Sequence, residues 1–264
     1  MTEALNECLH IDCATHYAWV FRRFEQHYYM HPISDFDTTC QRLVGVDEQM
    51  HALESNTQAF LSGKPALNAL LWGARGCGKS SVVKAVILKH LFTSPLRVIE
   101  LDTKDILILP LLLDMVRQKR EYKFIIFCDD LSFYAEEKSY KSIKSVLEGS
   151  FEKWADNVLI YATSNIRRIL KDQSTDLSPQ HSIAHETLSF SDRFGLQIGF
   201  YDLGTDEYLA IVASFLSDIS SHLSLDALLE PENPIRLQAL AFATQVGNRS
   251  ARTARDFVAR FYFT

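Results

Sequence analysis

Eight consecutive residues constrain this chain more than anything else in it: Gly73-Ala74-Arg75-Gly76-Cys77-Gly78-Lys79-Ser80. They satisfy G-x-x-x-x-G-K-[ST] in full, after an apolar run ending at Trp72 and before a stretch with helical spacing. Glycines let the backbone bend its N–H groups around a phosphate, and the helix N-terminus that follows adds favourable dipole. Lys79 would meet the β- and γ-phosphates, and the Ser80 hydroxyl would ligate magnesium. Gly73 to Ser80, with Ser81 beside them, are therefore candidate nucleotide-binding positions. Cys77 occupies a free position of the motif and is expected to point away from the phosphates.

Such a loop needs a strand before it and a helix after it, and the rest of the chain supplies more of both. Short apolar runs at 66–72, 96–101, 124–128, 158–163 and 196–201 read as strands. Helical stretches at 79–90, 106–119, 140–152 and 182–192 lie between them. Repeated alternation of this kind predicts an α/β fold, a doubly wound parallel five-stranded sheet. Residues 171–180, with Ser178-Pro179, read as an exposed loop. Beyond Asp202 the strands stop, and 206–223, 225–229, 234–245 and 250–261 read as helices, the third opening with Pro234. The expected division is a helical lead-in over 1–42, a nucleotide-binding α/β core over 43–203 and a small all-helical C-terminal lid over 204–264. The lead-in is read as a core-packed helix from the aromatic and histidine cluster Tyr17, Trp19, Phe21, Phe24, His27, Tyr28, Tyr29 and His31, ending at Pro32. Cys8, His10, Cys13 and His16 are also spaced closely enough to consider a metal, although they match no common zinc pattern.

A magnesium-binding acid should close a neighbouring strand. Phe124-Ile125-Ile126-Phe127-Cys128-Asp129-Asp130 has that form, with the apolar run followed by two carboxylates. This is the Walker B pattern. Asp129 is the candidate for the metal's coordination shell, and Asp130 stands where a base would polarise an attacking water. ATP and Mg²⁺ are the implied cofactors.

Composition removes other classes. A formal net charge of -6 argues against a surface built as a whole to hold polyanions, leaving only a local basic patch open. The most apolar stretch, 106–113, is broken by Pro110 and far shorter than the roughly 20 residues that cross a bilayer. An acidic start, Met-Thr-Glu-Ala-Leu-Asn-Glu, has no signal-peptide character. Five scattered cysteines fit a reducing, cytoplasmic setting.

Taken together these motifs resemble those of the AAA+ ATPases, over nearly the whole length from Leu43 onward. Leu159-Ile160-Tyr161-Ala162-Thr163 ends in Ser164-Asn165, similar to that superfamily's first sensor, so the resemblance gives Asn165 the task of placing the lytic water. Ser191-Asp192-Arg193-Phe194-Gly195-Leu196 resembles the stretch carrying an arginine finger, which implies that Arg193 acts on a neighbouring subunit's nucleotide in a homo-oligomer. Gly247-Asn248-Arg249-Ser250-Ala251-Arg252 resembles the start of the second-sensor helix. Arg252 is there the better candidate than Arg249, while Arg249, Arg252, Arg255 and Arg260 read alternatively as a nucleic-acid stripe or a solvated face. Leu43-Val44-Gly45-Val46-Asp47-Glu48-Gln49 resembles the box lining the adenine, with Val44 and Gly45 nearest the base. Several of these segments look closest to a bacterial AAA+ family known as domain of unknown function 815. One departure is plain: the usual acid after the Walker B aspartate is glutamate, and Asp130 is a methylene shorter, which leaves slow turnover or another base such as Glu136 or Glu137 in view.

The expected function is Mg²⁺-dependent ATP hydrolysis, coupled to conformational change in a macromolecular client that the sequence does not identify. A nucleotide-gated assembly module with little turnover is the alternative, and a small-molecule kinase is disfavoured by the helical lid.

Overall fold

In the computed structural model, residues 9–25, 27–38, 43–131, 155–165, 193–217 and 225–261 are described. The expected helices at 140–152 and 182–192, the loop at 171–180, Cys8, Glu136 and Glu137 lie outside these residues.

The elements run β1 (Ala18–Phe24), β2 (His27–Pro32), α1 (Asp47–Leu61), β3 (Ala69–Gly73), α2 (Lys79–Leu91) and β4 (Leu96–Asp102). A 3-10 turn (Thr103–Ile108) leads into α3 (Leu109–Arg117), followed by β5 (Lys123–Asp129), β6 (Val158–Ser164) and β7 (Leu196–Phe200). The chain closes with α4 (Thr205–Ser217), α5 (Leu225–Leu229), α6 (Pro234–Val246) and α7 (Ala251–Phe261). Seven strands form one sheet in the order β2-β1-β4-β5-β6-β3-β7. All neighbours are parallel except the β1–β2 hairpin.

β5 shows why its sequence reads as one apolar run. Phe124, Ile126 and Cys128 enter the core on one face of the sheet, with α3's Leu109, Leu112 and Val116. Ile125 and Phe127 enter the core on the other face, with α1's Leu53 and Phe60 and α2's Val82, Val83 and Val86. A strand covered on both faces has no polar side to show. Helix α2 contains three valines and an isoleucine, poor intrinsic helix formers, so packing against the sheet decides its conformation. Trimming one such core residue, Ile126→Ala, would cost about 2–5 kcal/mol.

The N-terminal segment corrects the sequence reading. Residues 18–32 form a hairpin rather than a helix, and it adds two strands to the five expected. Trp19 and Phe21 alternate into the core while Arg22 to Phe24 turn outward, a period-two signal carried by aromatic residues that suit a pleated surface. Arg97 fastens the preceding segment. It lies buried between the rings of Tyr17 and Tyr122, 4.6 and 4.5 Å from their centroids, and donates Nε and Nη2 to the Cys13 carbonyl at 2.9 and 2.7 Å. Cys13 is buried and His10 exposed, and no metal-holding cluster of His, Cys, Asp or Glu occurs among the described residues. Helix α1 was not marked by the sequence reading. No described helix is long and apolar enough to cross a membrane.

The four described helices after β7 share an apolar cluster of their own, built on Tyr208, Leu209, Val212, Leu216, Phe257 and Val258. Asn233 caps α6 by accepting from the amides of Ile235 and Arg236, and Pro234 follows at the first turn. Gly247, left-handed at φ +80°, ends it and donates to the Ala243 carbonyl at 2.9 Å.

Candidate functional site

Parallel pairing brings the chemistry-bearing residues to one edge of the sheet. In register, Trp72 of β3 sits beside Ser164 of β6, and Cys128 of β5 beside Ala162 of β6. The carboxyl ends of three adjacent strands therefore deliver the phosphate loop, Asp129 and Asn165 to one place, as open α/β sheets do. There they floor a cleft of about 1120 Å³.

The loop's path depends on glycine where β7 crosses and where the lid rests. A Cβ at Gly73 would lie 1.8 Å from the Phe200 carbonyl oxygen. One at Gly76, whose φ is +77°, would lie 2.8 Å from Ser250 Oγ and 3.3 Å from Arg252 Cβ. Gly78, at φ +92°, is the N-cap of α2, and no side chain caps that helix. Its first-turn amides face the cleft, so the backbone cradle fits a phosphate group. Arg75, Gly76, Cys77, Gly78, Lys79, Ser80 and Ser81 all line the cleft. Gly73 and Ala74 serve from behind it, their carbonyls accepting from Lys79 Nζ at 3.1 and 2.7 Å. Cys77 is buried with the core residues beneath the loop.

Lys79 also donates to Asn165 Oδ1 at 2.9 Å, and Asn165 Nδ2 in turn donates to Asp130 Oδ1. Burial holds the Lys79 ammonium below its ordinary pKa, against which the charges of Asp130 and Asp129 act. Ser80 Oγ donates to Asp129 Oδ1 at 2.6 Å, so the hydroxyl and carboxylate that would share a magnesium ion already touch. One hydroxyl and one carboxylate at a phosphate cradle are hard oxygen donors that suit this ion, which keeps much of its water shell. Asp130 is one of two described non-glycine residues with positive φ, at +54°.

Above the floor, the cleft wall includes Val44 and Val46 from the segment before α1, and Ile211 and Phe215 from α4. Gly45 turns the chain between Val44 and Val46 at φ +75°. Arg252 and Arg255 of α7 line the cleft, whereas Arg249 is exposed away from its wall. Arg193 is not brought to this place. It precedes β7, whose Leu196 pairs with Ala69 at the start of β3, while the loop follows Gly73 beside Phe200. At about 3.3 Å per residue the strand alone sets Leu196 roughly 13 Å from Phe200, and Arg193, which precedes the strand, does not line the cleft.

The cleft is also lined by polar and charged residues that the sequence reading did not assign to it, among them Asp37, Thr38, Lys84, Ser214 and Arg255. Another, Thr163, had a readable signal. Alternation along β6 sends Thr163 and Asn165 to the same side, and Ser164 to the other, where it donates to the Leu131 carbonyl at 2.9 Å.

The strand order, the phosphate loop between β3 and α2 and the helical lid define an AAA+-type P-loop fold. The same fold is found in solved structures. The Aeropyrum pernix Orc1 protein in complex with DNA matches with a TM-score of 0.56 at 15% identity, over 82% of this chain and 59% of that one. A chain of the E. coli MS115-1 HORMA:CdnC:Trip13 complex matches with a TM-score of 0.52 at 12% identity, over 86% of this chain and 93% of that one. C. elegans PCH-2 matches with a TM-score of 0.51 at 14% identity, over 87% and 63%. The chain thus spans less than two thirds of the length of Orc1 and of PCH-2. Within this fold it belongs to the family described as "Protein of unknown function (DUF815)", which matches residues 14–263. No curated protein matches it in sequence.

Proposed function

We propose that this protein binds ATP with magnesium and hydrolyses it, transmitting the change to a macromolecular client. The observation that carries the reading is the hydrogen-bonded set Lys79, Asn165, Asp130, Ser80 and Asp129 at the mouth of a glycine-bent loop, beneath Arg252. The amides at the start of α2 and Lys79 would hold the phosphates, and Val44 and Val46 would pack against the base. Ser80 and Asp129 would hold magnesium, which when bound draws negative charge from the phosphate oxygens. Asn165 would orient a water toward Asp130, which takes its proton. Arg252 would register the terminal phosphate from the lid, so that loading and hydrolysis move the helical part against the sheet.

Arg193 does not line its own chain's cleft and precedes the end of β7 that pairs with Ala69, which favours service on a neighbouring copy of this chain. The division into an α/β core over 43–203 and a lid over 204–264 belongs to the same reading, with the lead-in over 1–42 contributing sheet strands. The Orc1 structure contains DNA; a nucleic-acid client here rests on nothing beyond the arginines of α7.

A second reading keeps ATP binding but little turnover, a nucleotide-gated assembly module. What favours it is Asp130, short by one methylene and engaged by Asn165. Calorimetry with ATP, followed by phosphate release against protein concentration, separates these readings. Hydrolysis in trans requires a specific rate that climbs with concentration and collapses in Arg193→Ala while ATP affinity survives. Binding with no phosphate release at any concentration would leave only the assembly module, and no binding would end both.

A further inference from the structure

Thr163 lines the cleft without a role in the reading above, and it is buried at 2% exposure between the Asp129 carboxylate and the Asp130 backbone amide. Its Oγ1 donates to Asp129 Oδ1 at 2.6 Å and accepts from the backbone N–H of Asp130 at 2.9 Å. The polarity of this chain is forced. A backbone N–H can only donate and an ionised carboxylate can only accept, so the single hydroxyl proton of Thr163 must go to Asp129. That proton and the Ser80 proton converge on the same oxygen, Oδ1, and fix the rotation of the carboxylate. On its other side the hydroxyl oxygen holds the amide of Asp130, a residue whose left-handed backbone an L side chain adopts reluctantly.

Resting on the magnesium-nucleotide reading above, we propose that Thr163 is the positioning residue that presents Asp129 to the metal and holds Asp130 in its left-handed turn. Packing alone would be met by any β-branched side chain of that size. The hydrogen-bond chain needs the hydroxyl, so valine and serine separate the two roles: Thr163→Val keeps the shape and loses both bonds, and Thr163→Ser keeps both bonds and loses a methyl.

The test is calorimetric titration of ATP into wild type, Thr163→Val and Thr163→Ser, each with magnesium and with a chelator, with melting temperatures of the ligand-free proteins alongside. A hydrogen bond to a charged partner corresponds to about a tenfold effect or more. Thr163→Val is expected to lose about tenfold of the affinity gain that magnesium confers, with affinity in chelator unchanged. Thr163→Ser should keep the gain within about threefold. An unchanged magnesium gain in Thr163→Val overturns the proposal, as does a Thr163→Ser variant that loses the gain as fully as valine does. Should Thr163→Val fail to fold, Thr163→Ala compared with Thr163→Ser carries the same contrast, because alanine lacks the hydroxyl and serine retains it. Wild type with no ATP binding would instead strike at the parent reading, an outcome distinct from either of these.

Discussion

The floor of the cleft and its lid are built on opposite plans. On the floor, Lys79, Ser80, Asp129, Thr163 and Asn165 are tied to one another and to backbone carbonyls by bonds of 2.6–3.1 Å. On the lid side, Arg252 is exposed, and α7 meets the loop at Gly76 through Ser250, itself buried and bonded to Thr253. Val44, from the wall segment before α1, makes a second contact, packing against the lid's apolar cluster. A preorganised floor gives up little conformational freedom when a ligand arrives, whereas a lid joined at few points can take more than one position. The difference suggests that affinity resides below and responsiveness above.

Substitutions on the two sides should part accordingly. The largest effect is expected for Lys79→Ala, which removes a charge-assisted contact to the phosphates: ATP affinity by calorimetry falls by about a hundredfold. Arg252→Ala should cost about three- to tenfold in affinity for ATP and much less for ADP, while Arg249→Ala changes neither. Equal losses for the two arginines, or a loss at Arg252 as large as at Lys79, would break the contrast between floor and lid.

At the joint, Gly76→Ala forces a Cβ into the space of Ser250 in a backbone conformation that disfavours it. It should lower stability to denaturant by about 1–3 kcal/mol. A loss no larger than the roughly 1 kcal/mol that the left-handed backbone alone costs would mean the lid shifts freely away from the loop.

The smallest effect concerns Glu100 on β4, whose pKa is raised above 4.5 first by burial and then by the nearby charge of Asp129 against the pull of Lys84. A raised acid pKa means the folded state holds its proton more tightly than the unfolded chain. The group therefore favours folding below pH 4.5, and that contribution is lost as pH rises through the folded value. Glu100→Gln should then raise the melting temperature slightly at pH 7, by the equivalent of about 0.5 kcal/mol, with the gain fading toward pH 4. A gain that grows on acidification would reverse this assignment.

What could be read in the sequence follows from how local each signal was. The phosphate loop and the run into Asp129 are contiguous, and their strand and helix neighbours lie within a few residues, so both were visible before any fold was known. Helix α6 of the lid was visible through Pro234, which punctuates regardless of tertiary context. The β1–β2 hairpin was not, because its partner β4 lies far along the chain, and aromatic density alone favours neither period. Thr163 escaped for a different reason: its importance comes from Asp129 and Asp130, residues on another strand that register alone brings beside it. Arg255 was seen only as one arginine in a row, since a helix face has no inside until something packs on it.

The clasp between Arg97 and the Cys13 carbonyl spans 84 residues of chain. Among the seven strands, β1 and β2 are the first to be synthesised, yet β1 has no sheet partner but its own hairpin until β4 has left the ribosome. An isolated two-stranded hairpin is marginal in water, so Trp19 and Phe21 must wait uncovered through the synthesis of the phosphate loop. Cover for these side chains therefore becomes available once β4 is made, ahead of the strands that end up at the centre of the sheet, and Arg97 on β4 ties the segment before β1 to that pairing.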